Sequence, residues 1–262
     1  QSLVGLSSSR RGGTIQPAAA VSESPAQIST APVLAATPAA TEEPVKDPAD
    51  SFTAGNGGAR RLEDLHNAAA IQASLSLSQL MGQEIRVSFP ESRLVPLTDV
   101  APLIGGDEAT VGGIYVGIGG DINGGALLVF PEKSLLSVDD MLHGRPAGTR
   151  RELADVDLSG LSEMGNILAA CFINPIADAA RLRVQPEVPE TSVDMCLPVI
   201  DSVLARFNQP GDRILLTEAV IYGADMRTVV CHQLLFLEPD SFQRLLRELT
   251  VDHGAALAAA RG

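Results

Sequence analysis

Apolar residues return at helical spacing between residues 62 and 80, where Leu62, Leu65, Ala69, Ala73, Leu77 and Leu80 lie broadly on one side. Gly82 supplies a stop. Ile85, Val87 and Phe89 then alternate with polar neighbours, so 84–90 reads as a strand that Pro90 ends. A short helical turn over 98–104 follows. Residues 109–118 and 126–130 form a hairpin around Asn123-Gly124. Pro131 opens a helix to about residue 142, because the missing proline N–H costs nothing in a first turn.

The second half replays this order. Asp157 can cap a helix over 158–182, kinked where Pro175 removes a backbone donor. Residues 183–187 read as a strand, 193–207 as a helix, 214–222 and 228–237 as a hairpin, and Pro239 opens a closing helix to 249. The halves also align by residue. Asn67 and Asn166 are 99 positions apart, as are Pro90 and Pro189, and VFPEKSLLSVDDML resembles FLEPDSFQRLLREL with Pro131 matching Pro239 after a nine-residue insertion. A duplication of about 100 residues is too long for a solenoid repeat. The expected fold is therefore an α/β domain with halves at about 60–145 and 155–250, related by a pseudo-two-fold axis. They share one mostly antiparallel six-stranded sheet, with the two long motif helices on its surface.

Composition changes this picture mainly at the ends. Residues 1–58 are Ala, Pro, Ser, Thr and Gly with little bulk, and such a segment does not bury enough apolar surface to offset its ordering entropy. The expectation is a disordered tail or linker, then one domain over 59–250 and a C-terminal tail over 251–262. Aromatics make up 3% of the 262 residues and Trp is absent, so the core must be aliphatic. A net charge of -13 argues against nucleic acid and anionic membrane surfaces as partners, since both need clustered Lys and Arg. Cys171, Cys196 and Cys231 sit among apolar neighbours without CxxC spacing, which suits buried free thiols in a reducing compartment. No apolar run reaches the roughly 18 residues of a membrane helix, and the N-terminus lacks a compact secretory stretch. The expected location is the cytoplasm.

The candidate chemistry lies in one pattern that occurs twice. Ser159, Glu163 and Asn166 follow each other at spacings of four and three, and Pro189 comes after 22 further residues. Asp64 and Asn67 repeat the acid–amide spacing, with Pro90 at the identical offset. With 17 prolines in 262 residues, this double coincidence carries weight. The pattern resembles the hallmark of the CheC, CheX and FliY chemotaxis phosphatases, and CheC above all. In that hallmark an Asp or Ser precedes a Glu by four residues, an Asn comes three later, and a Pro is distant. LSEMGNILAACFINPIADAARLRVQPEVP and LSQLMGQEIRVSFPESRLVPL carry the likeness in the two halves, which extends over about residues 60–250.

The helix geometry agrees. At about 100° per residue, Leu161, Leu168 and Phe172 share one side, while Ser159, Glu163, Asn166 and Ala170 share the other. Asn cannot act as a nucleophile, but its carbonyl can accept from a water while its NH₂ donates elsewhere. Acyl-phosphate hydrolysis needs chiefly an in-line water and charge neutralisation. The resemblance implies that Asn166 orients that water beside the phospho-aspartate of a CheY-like response regulator, and that Glu163 pairs with a Lys of the regulator. It also implies that the Mg²⁺ belongs to the regulator, leaving this chain with no cofactor or metal of its own, and it suggests CheD, a receptor deamidase, as a second partner. The first pair departs from the pattern: Asp64 is one methylene shorter than Glu, Arg60 stands at the Asp/Ser position, and His66 precedes Asn67. It is expected to be the weaker site.

Other motifs are weighed the same way. The glycine cluster over 113–125 lies between two strands, so it reads as a hairpin and not a nucleotide loop. The four histidines lack metal spacing. Asp139-Asp140 reads as a solvated helix face. The rival function is a non-catalytic binding module or CheD-regulating adaptor, like the middle domain of FliM, which shares the family fold but lacks the Glu and Asn pairs.

Overall fold

The computed structural model describes residues 56–250 except 154–155 and 208–212. The expected tails, 1–58 save its last three residues and 251–262, lie outside the described residues. Helix α1 (Asn56–Met81) begins earlier than its apolar pattern. It buries Ala69, Ala73, Leu77 and Met81 while Leu80 stays 37% exposed, because position 81, four after Leu77, closes the inward stripe. Gly82 takes the left-handed conformation (φ 62°) that ends the helix.

Strand β1 (Arg86–Pro96) corrects an expectation: it does not end at Pro90. Its pairing register shifts between Ser88 and Glu91, so the chain absorbs a residue without a donor N–H as a bulge on an outer strand and continues. A 3₁₀ turn (Leu97–Asp99) and α2 (Val100–Ile104) follow as expected, then the hairpin β2 (Thr110–Gly120) and β3 (Gly124–Pro131), and α3 (Glu132–Leu142). Helix α4 (Leu158–Ala179) is capped by Asp157, whose carboxylate accepts from the Ser159 and Gly160 backbone N–H groups at 3.0 and 3.1 Å. Pro175 lies inside α4, which ends at Ala179, three residues short of the expected stop. The next strand comes in two pieces, β4 (Val184–Pro186) and β5 (Glu190–Met195). Residues 193–195 therefore belong to a strand, and the helix expected there is confined to α5 (Cys196–Leu204). The hairpin β6 (Arg213–Tyr222) and β7 (Thr228–Leu237) and the helix α6 (Pro239–Thr250) complete the described chain.

The sheet order is β1-β6-β7-β3-β2-β4, with every pair antiparallel and β5 also paired to β2. β4 and β5 are thus two pieces of one outer strand, which makes six strand positions. Exchanging β1 with β4/β5, β2 with β6 and β3 with β7 reverses the order onto itself. Each half therefore contributes strands to both sides of the centre, and the duplication read from the sequence is built as one interleaved sheet.

Two aliphatic clusters cover the two faces. α1, α3, α4 and α6 pack on one, where Leu77, Leu135, Leu168, Phe172 and Leu245 meet. α2 and α5 pack on the other through Val100, Ile104, Val199 and Val203. Cys196 and Cys231 are buried free thiols, Cys171 is half-buried, and burial pushes the Cys196 thiol up to about 11. Among the described residues no helix is long and apolar enough to cross a membrane.

Asp139 and Asp140 overturn the solvated-face expectation, since both are fully buried at the end of α3. Asp139 accepts from Arg150 Nε at 2.7 Å, Arg145 Nη1 at 3.2 Å and the Asp157 backbone N–H at 2.9 Å. Asp140 accepts from the Thr149 and Arg150 backbone N–H groups at 3.0 and 2.9 Å. Buried carboxylates are tolerated only when so paired. Through these bonds the connection leading into α4, and the residue that caps it, are held against α3.

Candidate functional site

α4 seats the acid–amide pair as its periodicity requires. Leu161, Met164, Leu168 and Phe172 are buried, Ser159 and Glu163 are exposed, and Asn166 and Ala170 are half-buried. Each buried large apolar side chain contributes about 1.5–3 kcal/mol, so rotating Glu163 and Asn166 inward would forfeit several such terms. Gly165 fixes how near the helix lies to the sheet: a Cβ there would stand 2.6 Å from Ile114 Cγ2 on β2. Pro189 is half-buried in the break between β4 and β5, beside Val188, which is 84% exposed.

The first pair is placed differently. Asn67 and Pro90 line one groove of about 650 Å³ between α1 and the β1 bulge, together with Glu63, His66, Glu91 and Ser92. Asp64 is exposed on α1 but is not part of that lining. The ring of His66 turns inward, 6.2 Å from the ring of Phe89 and 6.0 Å from that of Phe172. Its Nε2 is 2.8 Å from Ser92 Oγ, which is 2.6 Å from Thr217 Oγ1 on β6. Burial pushes the His66 pKa down, favouring the neutral ring. Sequence reasoning missed Glu63 and the His66–Ser92–Thr217 chain. Glu63 could have been found, because an acid four residues before Asn67 is as close a helical neighbour as one three before it. Among the described residues no group of three His, Cys, Asp or Glu side chains could hold a metal ion.

No protein-family model matches the chain. In sequence it is 26% identical over 187 residues to the CheY-P phosphatase CheC of Bacillus subtilis (strain 168), covering 70% of this chain and 90% of that one. In fold it is similar to Thermotoga maritima FliY, with a TM-score of 0.59 and 15% identity over 75% of this chain and 97% of that one. The FliM middle domain of H. pylori is also similar, with a TM-score of 0.53 and 10% identity over 74% of this chain and 99% of that one.

Proposed function

We propose that this chain, a relative of CheC in the CheC/CheX/FliY family of chemotaxis proteins, hydrolyses the aspartyl phosphate of a CheY-like response regulator. One observation carries the reading: Glu163 and Asn166 stand one turn apart on the outer side of a helix whose other side is locked into the core. A pair so placed can meet a bond that a partner brings to it.

The chemistry needs little from this chain. The Asn166 carboxamide accepts from a water through its carbonyl and aligns it behind the phosphorus. The water oxygen attacks, the bond between phosphorus and the aspartyl oxygen breaks, and inorganic phosphate leaves the regulator carboxylate free. The Mg²⁺ that offsets charge on the phosphoryl oxygens is assigned to the regulator in this reading. Glu163 docks the partner by pairing with a basic side chain on its surface, and Ser159 and Ala170, both small, leave room for the approach.

Adding the chain to a phosphorylated regulator should quicken phosphate release. Glu163→Gln should raise the half-saturating regulator concentration about tenfold, in line with losing a charge-assisted bond, and leave the maximal rate within a few-fold. A variant that loses maximal rate at unchanged half-saturation would remove Glu163 from the docking role.

A further inference from the structure

The two acid–amide sites are related by the duplication, and Asp64 and Glu163 lie on the same flank of their amides, but the first half carries a further acid, Glu63, on the opposite flank. Taking Asn67 as zero and stepping about 100° per residue, Glu63 lies near -40°, Ala70 near -60° and His66 near -100°, whereas Asp64 lies near +60°. The groove residues on α1 are Asn67 itself and Glu63, His66 and Ala70, the last three all on the negative side. In the second half the same side carries Ser162, Gly165 and Ala169, of which Gly165 and Ala169 are buried, so the only acid beside Asn166 there is Glu163, at about +60°.

The floors beneath the sites differ as well. His66, Ser92 and Thr217 correspond to Gly165, Thr191 and Ile114, since the first two pairs are 99 positions apart and the strand registers match Ser92 with Thr217 and Thr191 with Ile114. In the first half these positions form a hydrogen-bonded polar chain. In the second half Gly165 sits against Ile114, and the Thr191 hydroxyl is buried without a partner among the described residues.

We propose that the first-half groove is a separately built docking site for a basic side chain of the regulator, with Glu63 and not Asp64 as the specificity-determining acid. The inference rests on the phosphatase reading for its partner. Its chemistry is that of the groove: carboxylates from Glu63 and Glu91, acceptor oxygens from Asn67 and Ser92, and among the described residues no cationic lining side chain. Glu91 is shared with Arg93 at 3.8 Å, which leaves Glu63 as the lining acid that a partner's ammonium or guanidinium would meet. The ring of His66, packed against Phe89 and Phe172 and bonded to Ser92, holds the turn of α1 that carries both Glu63 and Asn67.

The test is binding of the beryllofluoride-activated regulator, titrated onto the chain with its second site disabled by Glu163→Gln and Asn166→Ala. Binding should persist in that background. Adding Glu63→Gln should weaken it at least tenfold, more than Asp64→Asn does, with thermal unfolding unchanged because both acids are at the surface. Loss of binding on disabling the second site, or a larger loss from Asp64→Asn than from Glu63→Gln, overturns the inference. The phosphatase reading fails separately: intact chain that binds the activated regulator but releases no phosphate from the phosphorylated form sinks that reading and leaves the docking assignment standing.

Discussion

Asn166→Ala should lower chain-stimulated phosphate release by about 100-fold, the scale on which a misplaced reacting group loses rate, while the unfolding midpoint stays where it was. The side chain is half-buried on the outer side of α4, and the residues that seat the helix are Leu161, Met164, Leu168 and Phe172. In the proposed mechanism, truncating the carboxamide removes the carbonyl that would hold the water and the NH₂ that would donate beside it, and it leaves no buried partner unsatisfied. Asn166→Asp keeps the shape but sets a carboxylate beside the phosphoryl oxygens, and should fail to rescue. Regulator-phosphate decay is the measurement. A variant with wild-type decay would show that the water is placed by something else.

Asp139→Ala should lower stability by about 3 kcal/mol, the lower end for breaking a buried ion pair. The carboxylate has no exposed surface, while its partners Arg145 and Arg150 are partly exposed and can recover water. The larger loss is the Asp157 backbone N–H, which Asp139 accepts next to the cap of α4. Urea unfolding should therefore show a lowered midpoint, and the variant should also lose phosphatase rate because the entry to α4 is loosened. Burial alone would raise the Asp139 pKa, but the Asp157 N–H and the Arg150 guanidinium outweigh it and hold the carboxyl below its usual range. The sign follows: the contribution is complete above the ordinary carboxylate pKa of about 4. It fades as pH falls through the lowered folded value. Wild type should show an acid-unfolding limb that Asp139→Asn flattens.

The elements with clean periodicity were legible from the residues alone: α1, the β2–β3 and β6–β7 hairpins, and α4 with its Asp157 cap. So was the duplication, because equal offsets between Asn67 and Asn166 and between Pro90 and Pro189 need no structure to be seen. What escaped depends on partners distant in sequence. Asp139-Asp140 has the look of a solvated pair until Arg145 and Arg150, in an aperiodic connection, fold back onto it. Pro90 and Pro189 resemble strand ends, because a missing N–H does break the ladder; the outer position of each strand is what lets the chain bulge and resume. The outward face of Glu163 and Asn166 followed from helix geometry, whereas the first groove required His66 to meet Ser92, 26 residues away, and Ser92 to meet Thr217, 125 further on.

The same fold serves the FliM middle domain, so shape alone does not separate an enzyme from a binding module. Turnover separates them. With phosphorylated regulator in tenfold excess over the chain, phosphate should continue to be released well past one equivalent, at a rate proportional to chain concentration. Release that leaves the intrinsic decay of the regulator unchanged, or that stops at one equivalent, would contradict the account and make the chain a binder of the regulator.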